Sequence, residues 1–136
     1  MFKTNRHSCY DLEYHLVVVT KYRHPVITKA LRKRLISISK QLLTKNWSCT
    51  INSINTDKDH IHILLEIPPQ VKISTLINNY KTVTSRMLKK EFKDELKPFY
   101  WKEAFWSDTY FISSVSERSH TMIKNYIATQ NKANPA

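Results

Sequence analysis

His60-Ile61-His62 places two imidazoles two positions apart within DHIHILLEI, residues 59–67, a segment that ends at Pro68-Pro69. The segment is apolar and β-branched, which predicts a strand. Positions i and i+2 of a strand face the same way. Both imidazoles therefore share one face, while Ile61, Ile63, Leu65 and Ile67 line the other. Two neighbouring imidazoles with an apolar back are well placed to hold a divalent metal. A bare His-x-His is a short motif, and it fits equally well one surface histidine beside another that caps a hydrogen bond.

The second group of interest lies in SERSHTMIKNYIATQ, residues 116–130. Met122, Ile123, Tyr126 and Ile127 recur at helical spacing, with Ser116 as a plausible N-cap. Tyr126 and Gln130 are one turn apart, ~6 Å, on one face. A phenol hydroxyl and an amide oxygen so placed could serve one site as nucleophile and metal ligand. The plainer reading is a core tyrosine on an amphipathic helix followed by a solvated glutamine.

The elements that must position these groups follow from patterning. Tyr10 to Thr20 alternates Leu12, Tyr14, Leu16 and Val18 and is predicted to be a strand. Residues 28–45 form a helix with Thr28 as cap and Leu31, Leu35, Ile38 and Leu42 as its buried stripe. Trp47 to Asn55 is a second strand, and a loop over 56–59 leads into the His-x-His strand. Ser74 to about Phe92 is a helix with Leu76, Ile77, Tyr80, Met87 and Leu88 inward. Phe99 to Trp106, with five aromatics, is a loop packed on the core. Tyr110 to Val115 is a fourth strand, followed by the Tyr126 helix. The order β-α-β-β-α-β plus one helix is the ferredoxin-like α+β arrangement, an antiparallel sheet with two helices on one face. Its first and third strands are central. The histidine pair then lies mid-sheet on the face those two helices leave open, and the last helix brings Tyr126 and Gln130 to that face.

Composition narrows the function. The 136 residues are expected to form one domain, and 22 Lys+Arg against 11 Asp+Glu leave a formal charge of +11. Such an excess in a small chain favours a polyanionic partner, most simply nucleic acid. Glycine is absent, which excludes the phosphate-cradling Walker A loop and the dinucleotide-binding glycine turn. No apolar run reaches the ~20 residues that span a membrane. The first residues do not lead into the apolar core of a signal peptide. Cys9 and Cys49 are too few for a disulfide framework, so a cytoplasmic location is expected.

DHIHILLEIPP, KTVTSRML, FWSDTYFISSVSE and IKNYIATQ, in this order and with KYRHPV after the first strand, give the chain a specific likeness. Over about Tyr14 to Gln130 it resembles the single-tyrosine HUH transposases of the insertion-sequence 200/605 family. The resemblance implies a homodimer that cuts and rejoins single-stranded DNA at element ends and recognises imperfect hairpins there. It implies that His60, His62 and Gln130 bind the metal and that Tyr126 is the nucleophile. It also implies active sites that combine the histidines of one subunit with Tyr126 and Gln130 of the other. The chain departs from the family pattern where Thr82, Thr109 and Ser116 stand at positions that are often glycine.

Two imidazole nitrogens and an amide oxygen make a neutral site suited to Mg2+ or Mn2+. Tyr126 attack on phosphorus would give a 5′-phosphotyrosine and a free 3′-OH. Asp59 either orients His60 or His62 as a supporting partner or serves only as a turn residue. DNA contacts are expected from Lys21, Arg23, Arg86, Lys89 and Lys90, with Tyr22 available for stacking on unpaired bases. Some of these side chains could equally be a solvated helix face. The competing class is a non-catalytic, domesticated regulator that binds hairpin DNA or RNA. A metal-dependent phosphodiesterase without a covalent intermediate would leave Tyr126 without a task.

Overall fold

The computed structural model describes residues 13–100, 102–116 and 118–130, together with the backbone of residues 3–4 and 9–10. Strand β1 (Lys3–Thr4) pairs antiparallel with β2 (Cys9–Tyr10). The main four-stranded sheet holds β3 (Glu13–Val19), β4 (Thr50–Asp57), β5 (His60–Glu66) and β6 (Phe111–Ser114), ordered β4-β5-β3-β6. All of its pairings are antiparallel. Helix α1 (Lys29–Gln41) connects β3 to β4, and α2 (Ile73–Glu91) with the short α3 (Lys93–Leu96) connects β5 to β6. Helix α4 (Ser119–Thr129) follows β6. This is the ferredoxin-like α+β order, with β3 and β5 central.

The main core lies between the sheet and the first two helices. Leu16 and Val18 of β3 and Ile61, Ile63 and Leu65 of β5 meet Leu31, Leu35 and Ile38 of α1 and Leu76, Ile77, Tyr80 and Leu88 of α2. Thr28 caps α1 by accepting from the Leu31 N–H at 3.4 Å. The opposite sheet face carries a second, smaller core of Val17, Val19 and Ile123, flanked by Phe111, Tyr126 and Ile127. Both faces of β3 are therefore covered, the second by α4.

Several boundaries differ from the sequence reading. Tyr10 belongs to the separate β2, and the first long strand begins at Glu13; Leu12 lies outside the described residues. α1 runs into a π-helical turn over Leu42–Asn46, so Trp47 precedes the second strand instead of opening it. Trp47 is held there by its indole N–H, which donates to Asn79 Oδ1 at 3.0 Å. The expected loop over 56–59 shrinks to a two-residue turn, because Thr56↔Ile61 and Asp57↔His60 continue the ladder. Ser116 is not the N-cap of α4; that position falls on Arg118, and Ser119 Oγ accepts from the Ser116 N–H at 2.8 Å. The aromatic loop packs as expected through Tyr100, Phe105 and Trp106, all buried, whereas Phe99 is exposed. Its fifth aromatic, Trp101, lies outside the described residues.

A polar chain ties that loop to the ends of β3 and α2. Trp106 Nε1 donates to Thr84 Oγ1 at 2.8 Å, and Thr84 Oγ1 donates to Tyr80 O at 2.7 Å. The Ser107 N–H donates to Val19 O at 2.8 Å, and the Lys21 N–H to Phe105 O at 2.9 Å. Thr84 is fully buried, so no water can replace its oxygen. Thr84→Val is expected to cost about 1–3 kcal/mol by stranding the indole N–H, whereas Thr84→Ser keeps the acceptor and most of the stability. Urea unfolding of both variants checks this, and equal loss in the two would contradict it.

Candidate active site

The alternation of β5 puts Ile61, Ile63 and Leu65 into the main core and turns His60 and His62 to the other face. His62 lies opposite Val17 and Asn55, and His60 opposite Val19 and Asp57. Each imidazole has one ring nitrogen engaged. His60 Nδ1 is 2.9 Å from Asp59 Oδ1, and His62 Nε2 is 2.8 Å from His15 Nδ1. Asp59 sits in the turn before β5, and its other oxygen accepts from Arg23 Nε at 3.0 Å. Burial alone pushes the Asp59 carboxyl up, but hydrogen bonds from His60 and Arg23 hold it below its ordinary value. An ionised Asp59 accepts from His60 Nδ1–H and leaves the Nε2 lone pair free for a cation.

His62 is held neutral. Burial, and then the nearby His15, His60 and His120, push its pKa down to about 4. The His15 imidazole is lowered too, by burial and then by His120, with Glu13 opposing. Neutral imidazoles are the form that ligates metal.

Oxygen donors stand close by: ligand atoms of Asp57, Asp59 and His60 lie within 4.8 Å of one another. Nitrogen from His60 and His62 with neighbouring carboxylate oxygen is a donor set that fits a divalent cation accepting mixed ligands, such as Mg2+ or Mn2+. Cys49, whose thiol burial pushes up to about 11, adds no thiolate to it.

Tyr126 and Gln130 meet at a single hydroxyl. Thr109 Oγ1 lies 2.8 Å from the Tyr126 hydroxyl and donates to Gln130 Oε1 at 3.2 Å. The threonine has one hydroxyl proton. With that proton given to Gln130, the tyrosine must donate to Thr109. The Gln130 amide nitrogen also donates to Tyr126 O at 3.4 Å. Burial raises the Tyr126 phenol, partly offset by the hydroxyls of Thr109 and Ser107. The tyrosine ring packs on Phe111 with centroids 5.6 Å apart.

Phe111, Val17, His62 and Asn55 form one rung across the sheet. Tyr126 thus lies over the strand two removed from the histidines, roughly 10 Å at ordinary strand spacing. Neither Tyr126 nor Gln130 hydrogen bonds to His60 or His62 within the chain. The structure brings the two halves to one face and leaves them apart.

The basic residues divide. Lys21 Nζ pairs with Asp108 at 2.9 Å and lies 5.5 Å from the exposed Tyr22 ring. Arg23 is bound to Asp59. Tyr22 and Arg23 both have left-handed backbone, φ 58° and 54°, a conformation that costs a non-glycine residue about 1–2 kcal/mol. Arg86 and Lys90 are exposed on α2. Arg86 borders a cleft of about 490 Å³ that also takes in Lys81, Ser107 and Asp108. Lys89 turns to the Glu103 carbonyl.

The sequence reading missed His15, Asp57 and Thr109. His15 was detectable in principle, since it shares the i, i+2, i+4 face of Val17 and Val19.

The fold superposes on a crystal structure of a proposed transposase from Deinococcus radiodurans R1 with a TM-score of 0.88. The two are 31% identical, over 96% of this chain and 99% of that one. With a paired-histidine strand and a tyrosine-bearing helix on one sheet face, this is a small DNA transposase domain. The chain belongs to the IS200-like transposase family, whose model matches residues 8–130. It is 30% identical over 128 residues to the ISDra2 transposase TnpA of Deinococcus radiodurans, covering 94% of this chain and 90% of that protein. It is 33% identical over 129 residues to the transposase for insertion sequence element IS200 of Salmonella typhimurium, covering 94% and 82%. A REP-associated tyrosine transposase bound to a REP hairpin shares the fold at 12% identity and a TM-score of 0.50, covering 91% of this chain and 68% of that one. No helix among the described residues is long and apolar enough to cross a membrane.

The histidine face makes stability depend on pH. Between pH 6.5 and about 4 the unfolded chain protonates this imidazole and the folded chain does not. Stability therefore rises with pH across that window and is lost as pH falls through it. Urea unfolding of chelator-treated protein at stepped pH is expected to follow this slope, and His62→Gln to flatten it. An unchanged slope in the variant would show that His62 is not the group responsible.

Proposed function

We propose that this transposase cleaves and rejoins single-stranded DNA at the ends of a mobile element through a 5′-phosphotyrosine on Tyr126. The observation that carries the reading is the Thr109 hydroxyl. It holds both the Tyr126 hydroxyl, at 2.8 Å, and Gln130 Oε1, at 3.2 Å, on the sheet face of His60 and His62. A phenol oxygen and an amide oxygen are thereby kept side by side, ready to move as a unit.

In the proposed reaction the Tyr126 oxygen bonds to phosphorus as the P–O3′ bond breaks. The phenol proton leaves by way of the Thr109 side, and the departing 3′ oxygen is protonated to a 3′-OH. Tyrosine ordinarily ionises near pH 10, and burial lifts Tyr126 further, so proton loss accompanies attack. A later 3′-OH attacks the phosphotyrosine, restores the phosphodiester and releases the phenol. One phosphoester replaces another, so no nucleotide triphosphate is consumed, in keeping with a chain that lacks glycine phosphate loops.

His60, His62 and Gln130 would hold the Mg2+ or Mn2+. When bound, the ion supplies charge at a non-bridging phosphate oxygen. Asp59 fixes the His60 ring, and Arg23 fixes Asp59.

We place the working site between two subunits of a homodimer, with Tyr126 and Gln130 of one facing the histidines of the other. Within one chain the two halves do not meet, and only a few residues separate Ser114 from Ser119. Exchange of an identical element is a low-cost route to a symmetric dimer. Terminal hairpins are the proposed DNA, bound through Lys21, Tyr22, Arg86 and Lys90, with Lys89 and Arg23 at the margins. The REP hairpin carried by a neighbour of the same fold supports that choice.

The test is to incubate protein, manganese and labelled single strands from the element ends and look for an SDS-stable adduct. Tyr126→Phe is expected to abolish the adduct and leave hairpin affinity within about twofold, since only the nucleophilic oxygen is removed. Hairpin binding without an adduct in the unaltered protein would favour the non-catalytic regulator. Affinity should fall by about 100-fold between 50 and 200 mM salt if roughly five phosphates are contacted; a flat profile would reject the basic surface.

Subunit sharing has its own test. Tyr126→Phe and His60→Ala/His62→Ala proteins, each inactive, are unfolded and refolded together. A mixed dimer with shared sites has one intact site and one doubly defective site, so cleavage returns. Mixed dimers with no activity, alongside unaltered protein that survives the same treatment, would reject sharing.

A further inference from the structure

His15 is a histidine where the fold has no packing need for one. It lies on central strand β3, 7% exposed, with Leu64 and Ser113 as its cross-strand partners. Its neighbours on the same face, Val17 and Val19, are buried apolar side chains. Burying a polar ring without a partner is costly. The His15 ring has one: Nδ1 lies 2.8 Å from His62 Nε2, with the rings tilted at 32° and centroids 5.0 Å apart. Beyond it, His120 of α4 lies 6.3 Å from the His15 ring. The groups facing His15 are thus His62, His120 and, along its own strand, Glu13.

A hydrogen bond between two imidazoles needs one N–H and one lone pair. With His62 Nε2 turned to His15, only His62 Nδ1 is left for a cation. A neutral ring that gives its Nδ1 lone pair to a metal carries its proton on Nε2. That proton then donates to His15 Nδ1, and His15 carries its own proton on Nε2. On the neighbouring histidine the roles are reversed, because Asp59 takes Nδ1 and leaves Nε2. Ligating histidines ordinarily have the second nitrogen fixed in this way, by a carboxylate, carbonyl or water. Here a carboxylate fixes one and an imidazole the other.

We propose that His15 is a positioning residue for the metal centre: its Nδ1 lone pair accepts from His62 Nε2–H and holds His62 with Nδ1 directed to a divalent cation. The proposal rests on the reading that His60 and His62 hold that cation. It assigns opposite ring nitrogens to the two ligands, Nε2 of His60 and Nδ1 of His62. Thr109 and the α4 residues take no part in it.

The first experiment needs no metal. Long-range proton–nitrogen NMR of nitrogen-15-labelled, chelator-treated protein reads each histidine's tautomer, with His62→Gln used to assign the signal. The expected result is His62 protonated at Nε2 and His15 protonated at Nε2. His62 protonated at Nδ1 would overturn the proposal.

The second experiment is calorimetric titration with manganese of unaltered protein, His15→Phe and His15→Gln. Phenylalanine fills the space without an acceptor, whereas the glutamine amide oxygen retains one. His15→Phe is expected to weaken manganese binding by 10–100-fold and to lose the His62 tautomer preference. His15→Gln is expected to stay within about threefold of the unaltered protein and to keep that preference. Unchanged affinity in His15→Phe overturns the positioning role, as does equal weakening in both variants with the tautomer intact. If the unaltered protein fails to bind manganese, or binds it equally well as His60→Ala/His62→Ala, the metal reading falls and the proposal with it. The tautomer spectrum then still reports whether the His15–His62 bond exists, which separates the two failures.

Discussion

The register of β5 is the constraint on which the site depends. Ile61, Ile63 and Leu65 are fully buried against the first two helices, and each buried side chain of this size is worth about 1.5–3 kcal/mol. A slip of one residue would put both histidines into that core and expose all three aliphatics. The same slip would unpair Asp57 from His60 and Val17 from His62. The apolar side of the strand therefore fixes the polar side, and packing on one face sets where both histidines stand on the other.

The open face is closed more lightly. α4 anchors through Ile123 and the buried Ser119, with Tyr126 and Ile127 half-covered. By comparison α2 buries Leu76, Ile77, Tyr80, Thr84 and Leu88. Free energies of local opening follow buried apolar contact, so α4 costs less to displace than α2. That helix is also the one bearing the residues that must change partners if sites are shared. Thr109 gives the helix a defined resting position, since a single hydroxyl satisfies both the phenol and the amide oxygen.

The central architecture was legible in the sequence because its signals were long. The alternation of β5 and the 3.6-residue stripes of α1 and α2 each carry several consistent buried positions, and the βαββαβ order followed from them. Boundaries failed where tertiary contacts overruled local pattern. Trp47 resembles a strand residue, but its bond to Asn79 keeps it on the helical turn. Thr56 and Asp57 resemble loop residues, but the ladder to β5 extends through them. In the site, the histidine pair and the Tyr126–Gln130 pair were visible as spacings. The Thr109 bridge joins residues 17 and 21 positions apart, and the His15–His62 bond spans 47. No periodicity encodes such separations.

The lack of glycine sharpens how the site is held. Where a turn needs left-handed backbone, this chain uses Tyr22, Arg23 and Ser48. Such strain persists only when surrounding bonds over-determine it. Here they do: Arg23 is bound to Asp59, the Arg23 N–H donates to Thr20 O at 2.9 Å, and Tyr100 donates to Lys21 O at 2.7 Å. Asp59 in turn orients His60. The strained turn, the acid and His60 thus form one connected unit at the end of the central strands. The backbone conformation that is costly to Tyr22 and Arg23 is therefore linked, through Arg23 and Asp59, to the orientation of the His60 ring.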